Sequence, residues 1–178
     1  MRKSLLSIIL LFASIVNIFA QSSTEQLPID PEVRIGVLDN GLTYYIRHNA
    51  KLKQQASLYI YHDVGAVQEA DHQQGLAHFL EHLAFEDTKH FSGNEISDKL
   101  KSIGVAEYSI NAFTGHDCTQ YYIEDCPVSD ENIDLALLIL HDWSHYIALR
   151  PEGIDAERGV IIEELRTGNN GHQRAQDA

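Results

Sequence analysis

The chain, 178 residues long, predicts an α+β fold in which a mainly antiparallel sheet is covered by helices. Three observations carry that expectation. Asn40 and Gly41 stand between two β-rich runs, the hydrophobic period changes from alternation to helical spacing at Gly75, and the elements run as three strands, two helices, two strands, two helices. A hydrophobic fraction of 44% with 22% charged residues is that of an ordinary globular protein.

The first twenty residues stand apart. Arg2 and Lys3 precede an uncharged run from Ser4 to Ala20, rich in Leu, Ile, Phe and Val, in the outline of a signal peptide. A membrane-spanning helix needs roughly 20 such residues, so a retained anchor is the competing reading. Small Ala20 before polar Gln21 favours cleavage, although Ile18 is less usual than Ala at its position. On either reading the body is exported, to the periplasm or out of the cell, with no membrane role beyond the export signal. Residues 21–33, QSSTEQLPIDPEV, are polar with two prolines and form a linker, and the domain proper is 34–178.

RIGVLDNGLTYYIRH is a hairpin turning at Asn40-Gly41, and a third strand follows over residues 56–64. From Gly75, Leu76, Phe79, Leu80, Leu83 and Ala84 recur at steps of three and four, which makes one apolar helix face. A second helix spans Asn94 to Ile103 and stops at Gly104. VAEYSINAF and CTQYYIEDC are the next two strands. Ser129 caps a long helix reaching Ile147, and Pro151 opens a last helix running to about Thr167. The tail GNNGHQRAQDA is loose.

A formal net charge of -13, with the thirteen basic residues scattered, argues against nucleic-acid binding, since a phosphate backbone is held by clustered Lys and Arg. Cys118 and Cys126 flank a segment that, if extended, holds them roughly 25 Å apart at about 3.3 Å per residue. A disulfide needs Cα atoms within about 7 Å, so two free thiols are expected.

The chemistry concentrates on the helix after Gly75. His78 and His82 lie one turn apart on one face, where two imidazoles can reach one zinc ion, and Glu81 sits beside them. This is the HxxEH spacing, in which the glutamate acts on water rather than binding the metal. The bland alternative is two histidines and a glutamate sharing the surface of an amphipathic helix. A third ligand decides between them, and the last helix offers Glu157, Glu163 and Glu164. Val160, Ile161 and Leu165 mark an apolar arc that contains Glu164 and, two turns earlier, Glu157. A carboxylate in a buried stripe costs several kcal/mol unless a cation or donor meets it, so Glu164 is the preferred ligand and Glu157 an auxiliary carboxylate that orients a histidine or the water network. Glu163 points away and reads as a solvated charge.

GLAHFLEHLAF, TKHF, NAFT and ERGVIIEELR, in that order, resemble the pitrilysin and insulin-degrading enzyme (insulinase-like, inverzincin) family of metallopeptidases, from about Arg34 to Thr167. The hairpin after a signal peptide is most similar to the long bacterial exported zinc proteases of that family. The resemblance implies one zinc per chain held by His78, His82 and Glu164, with Glu81 as general base toward a zinc-activated water and Glu157 assisting. It implies a peptide or unfolded protein substrate added as an extra strand along Asn111, Ala112 and Phe113. It also implies a second homologous half-domain or partner subunit, and a first domain that is incomplete here. Two departures stand out: Asp87 precedes Thr88 where the family commonly has Gly, and Tyr108 occupies a stretch usually built of small residues. The alternatives are a catalytically silent zinc-binding or scaffold fragment, and a structural zinc with His90 or His116 as fourth ligand.

Overall fold

A computed structural model describes residues 28–51 and 53–168. The expected signal peptide, most of the linker and nearly all of the expected loose tail lie outside the described residues. The chain forms two compact units, divided after Ala50. Among the described residues, no helix is long and apolar enough to cross a membrane.

In the first unit, β1 (Val33–Val37) pairs antiparallel with β2 (Thr43–Arg47), with Val33 opposite Arg47 and Val37 opposite Thr43. Gly41 takes φ +89°, a left-handed conformation that glycine adopts without Cβ strain, and Asn40 Oδ1 accepts from Leu42 N at 3.1 Å. The last linker residues are tied to the hairpin, because Arg47 bonds Asp30 at 2.9 Å and Glu32 at 3.4 Å.

The second unit is built on a three-stranded antiparallel sheet of β3 (Gln55–His62), β4 (Ile110–Thr114) and β5 (Thr119–Pro127), in the order β3-β5-β4. Alternate β5 residues Thr119, Tyr121 and Ile123 point into the core. That alternation then slips by one: Ala56 faces Cys126 whereas Leu58 faces Ile123, and Asp125 takes φ +55°. The resulting bulge turns Cys126 inward, where it is fully buried. Both cysteines are free, and Cys118 is half-buried.

Four helices complete the unit: α1 (Leu76–Glu86), α2 (Glu95–Ser102), α3 (Asp130–His145) and α4 (Pro151–Gly168). Helix α1 packs on β4 and β5, α3 on β5 and β3, and α4 on α1. Between them lies a core of Ala84, Phe91, Ile96, Leu100, Val105, Tyr121, Ile123, Ile139 and Trp143. Trp143 stacks on Tyr121 at 5.5 Å, and its Nε1–H donates to Ala84 O at 3.0 Å, fastening α3 to α1. Ser129 caps α3 by accepting from Asn132 N at 3.2 Å.

Two expectations need correction, and the departure at Asp87 proves neutral. VAEYSINAF is a strand only from Ile110: Gly104, at φ +96°, turns the chain, Val105 fills the core, and residues 107–109 form a single 3-10 turn. Asp87 takes φ −143°, an extended conformation open to any residue, so the missing glycine carries no strain. The apolar face of α1 is buried only at Leu83 and Ala84, while Leu76 and Leu80 remain exposed.

Candidate metal centre

Helix α1 begins at Gly75, whose φ of +89° breaks the preceding turn. The Glu69 carboxylate accepts from Gly75 N and Ala77 N, both at 2.7 Å, so an acidic side chain from a distant loop caps the helix and complements its positive end. His78 and His82 follow on the face toward α4.

Their Nε2 atoms are 3.2 Å apart, with the rings perpendicular. Glu164 Oε2 lies 3.6 Å from His78 Nε2 and 3.4 Å from His82 Nε2. Bonds of about 2.0 to 2.1 Å at 90° to 109° put neighbouring donor atoms about 2.8 to 3.4 Å apart. The three pairs lie close to that range, so the donor set fits a zinc ion. On the far side of the ring, His82 Nδ1 meets Glu157 Oε1 at 2.7 Å, which holds Nδ1 as the donor and leaves the Nε2 lone pair directed at the other two groups. The Glu157 side chain is only 12% exposed.

Glu164 reaches this position for a different reason from the one its sequence pattern suggests. No stripe of α4 is deeply buried: Val160, Ile162 and Leu165 are exposed and the Glu164 side chain is 49% exposed. The inward face is Ile154, Glu157 and Ile161, which are half-buried, and Glu164 continues it one turn on, at the level of the histidines. Glu163 pairs with Arg166 at 2.6 Å, and that guanidinium holds its carboxyl below the usual range.

Glu81 is buried, and the Thr114 hydroxyl, at the end of β4, donates to its Oε2. Below it, burial pushes the Tyr121 phenol strongly upward and the Glu81 charge adds to the effect, so Tyr121 stays neutral. Strand β4 pairs with β5 alone among the described strands and so presents a free edge. Along it, Asn111 and Phe113 are exposed and Ala112 is half-buried, with the Ala112 amide donating to Asn111 Oδ1 at 2.9 Å. A cleft of about 390 Å³ between this strand and α1 is lined by Glu69, His78, Phe113, Thr114 and His116. Tyr108 stands 82% exposed just ahead of β4. His90 is engaged with Asp142, and His116 lines the cleft rather than joining the three donors.

Thr114 and Glu69 were not singled out in the sequence. Thr114 carries the one signal that could have found it, its place at the end of the NAFT segment; Glu69 carries none.

The insulinase family pattern (peptidase family M16) matches residues 44–178. The chain belongs to this family. It is 33% identical over 162 residues to a probable zinc protease PqqL of Haemophilus influenzae, covering 88% of this chain and 18% of that protein. It is 35% identical over 153 residues to the probable zinc protease PqqL of Escherichia coli, covering 85% and 16%. The crystal structure of the periplasmic protease PqqL from Escherichia coli matches with a TM-score of 0.79 and 36% identity, over 85% of this chain and 17% of that one. Pitrilysin, at 23% identity and a TM-score of 0.65, shares the fold. The chain thus spans less than a fifth of the length of the PqqL relatives. It is a metallopeptidase-family domain with relatives named as zinc proteases.

Proposed function

We propose that this chain carries the zinc site and the substrate edge of an exported zinc metalloendopeptidase that cuts peptides or unfolded protein segments. The observation that carries this reading is the convergence of His78 Nε2, His82 Nε2 and Glu164 Oε2 at separations of 3.2, 3.6 and 3.4 Å. Those three atoms would hold one zinc ion, and Glu157 would fix the tautomer of His82. When bound, zinc supplies Lewis-acid polarisation of the scissile carbonyl and acidification of water.

The protein groups do the rest. A peptide adds antiparallel or parallel to the free edge of β4, where main-chain groups at Ala112 bond its backbone and Asn111 and Phe113 flank it. Glu81, held at Oε2 by the Thr114 hydroxyl, accepts a proton from the attacking water at Oε1 and returns it to the departing amine. No covalent enzyme intermediate is required. A second homologous half or partner subunit closes over the peptide. The periplasmic location of the PqqL relative supports export.

The test is a zinc count with a cleavage assay. His78→Ala and Glu164→Ala should each lose one zinc per chain relative to the parent. Glu81→Gln should keep that zinc and lose cleavage of an unstructured peptide, measured with the second half supplied. Cleavage by Glu81→Gln at the parental rate would defeat the mechanism.

A further inference from the structure

A second cluster of the same donor types lies outside the centre described above. Asp142 lies three residues before the last residue of α3, His145, and has no exposed surface. Its Oδ2 is satisfied by the Thr88 hydroxyl at 2.7 Å and the His90 amide at 2.9 Å. Its Oδ1 faces two imidazoles instead, with His90 Nδ1 at 2.7 Å and His141 Nδ1 at 3.5 Å. The three donor atoms lie within 4.8 Å of one another.

The two separations, 2.7 and 3.5 Å, fall just below and just above the roughly 2.8 to 3.4 Å expected between neighbouring ligands of one ion at 2.0 to 2.1 Å, so small side-chain rotations would bring them into range. A hydrogen-bonded His90–Asp142 pair accounts for the shorter contact. His141, whose ring packs on Tyr146 at 4.8 Å, presents Nδ1 to the same oxygen at a distance too long for a good hydrogen bond. A cation among the three atoms would satisfy both nitrogens and the carboxylate together. Two imidazoles and one carboxylate suit zinc and its transition-metal neighbours, whereas calcium and magnesium need oxygen-rich sets.

The frame is already built. Residues 87–92 are held against the end of α3 by Lys89 N to Tyr146 O at 3.0 Å, Ala148 N to Asp87 O at 2.8 Å and a bridge between Thr88 and Ile147. His90 therefore cannot drift far from Asp142. The His90 and His141 side chains are 38% and 53% exposed, so an ion can enter from solvent and keep water ligands.

We propose that His90, His141 and Asp142 form a second zinc-class metal site, which clamps the segment after α1 to the end of α3. This site stands whether or not the first one is catalytic. An ion bound only by the folded chain raises its stability by mass action.

The experiment uses the full chain carrying His78→Ala and His82→Ala, which removes the first centre, titrated with Zn2+ against a competing chelator and with Co2+ for its visible absorption. One ion per chain should bind, with a rise in melting temperature. Adding His141→Ala, an exposed position with little bearing on folding, should weaken binding by more than the roughly 10- to 100-fold that losing a supporting partner costs. His90→Gln should do the same. His145, one turn beyond His141, tests the competing idea of a surface pair on α3 alone. No zinc on the double variant overturns the proposal. So does binding that survives both His141→Ala and His90→Gln, or binding lost with His145→Ala but indifferent to His90→Gln.

Discussion

His82 and Glu157, 75 residues apart in the chain, meet at 2.7 Å through Nδ1 and Oε1. The contact joins α1 to α4 and sets which ring nitrogen faces the proposed zinc. A carboxylate there orients the ring and raises its basicity as a ligand. Glu157→Ala should therefore lower zinc affinity by about 10- to 100-fold without removing any donor atom. Glu157→Gln keeps an acceptor oxygen and should lose less. Chelator competition on the two variants checks this, and equal affinity in parent and Glu157→Ala would remove Glu157 from the site.

Thr114 acts on the other glutamate. Its hydroxyl donates to Glu81 Oε2, so one carboxylate oxygen is fixed and the other is left for the proton. Thr114→Val should reduce kcat by about tenfold, short of the 10²- to 10⁴-fold that general acid–base catalysis supplies. KM and zinc content should hardly change, and Thr114→Ser should restore most of the rate. A fall in zinc content with the rate would mark Thr114 as structural instead.

Local features of the site were legible in the sequence and distant ones were not. His78, Glu81 and His82 share one helix turn, so their spacing alone brings them together, and Asn40-Gly41 announces its hairpin in two residues. The apolar arc on α4 points to Glu164, yet Val160 and Leu165 on that arc are exposed. What brings Glu164 to the histidines is the packing of Ile154, Glu157 and Ile161 toward α1, which no periodicity within α4 specifies. Glu69 and Thr114 lie in or beside loops, and their partners are fixed only when the sheet assembles. The same limit explains VAEYS, where an apolar–polar alternation mimics a strand although Gly104 has just turned the chain.

The thiols should behave unequally. Cys126 has no exposed surface and burial pushes its pKa upward, whereas Cys118 is half-buried at the start of β5. A thiolate is the reactive form, so Cys126 is doubly protected. A disulfide reagent at neutral pH should modify one thiol in the native chain, and two after denaturation. Modification of both at similar rates would show that the β5 bulge fails to bury Cys126.

On the outer face of the sheet, the Tyr59 hydroxyl donates to Glu124 Oε1 at 2.5 Å, and that bond raises the phenol to about 12. The raised value means that the contact contributes fully below the ordinary tyrosine pKa of about 10. Its contribution then falls as pH climbs from there through about 12. Ultraviolet titration should find several tyrosines ionising late, with Tyr59, Tyr61 and buried Tyr121 among them, and Glu124→Gln should return one of these toward 10. Partial exposure of Tyr59 screens the effect on stability, so the spectrum is the sharper readout.

Trp143 offers the strongest test of how the fold supports the site. Its ring is 1% exposed, stacks on Tyr121, lies 5.3 Å from Phe85, and its Nε1–H answers Ala84 O on α1. Trp143→Ala removes a large buried ring and leaves a cavity, for which the usual cost is about 3–5 kcal/mol. Trp143→Phe keeps most of the packing but orphans the Ala84 carbonyl, at about 1–3 kcal/mol. Urea denaturation should show both falls as a lower midpoint with an unchanged slope. Because α1 carries His78 and His82, the Phe variant should also bind zinc less tightly while remaining folded. Full stability in Trp143→Ala would mean that α1 is held against the sheet by other contacts.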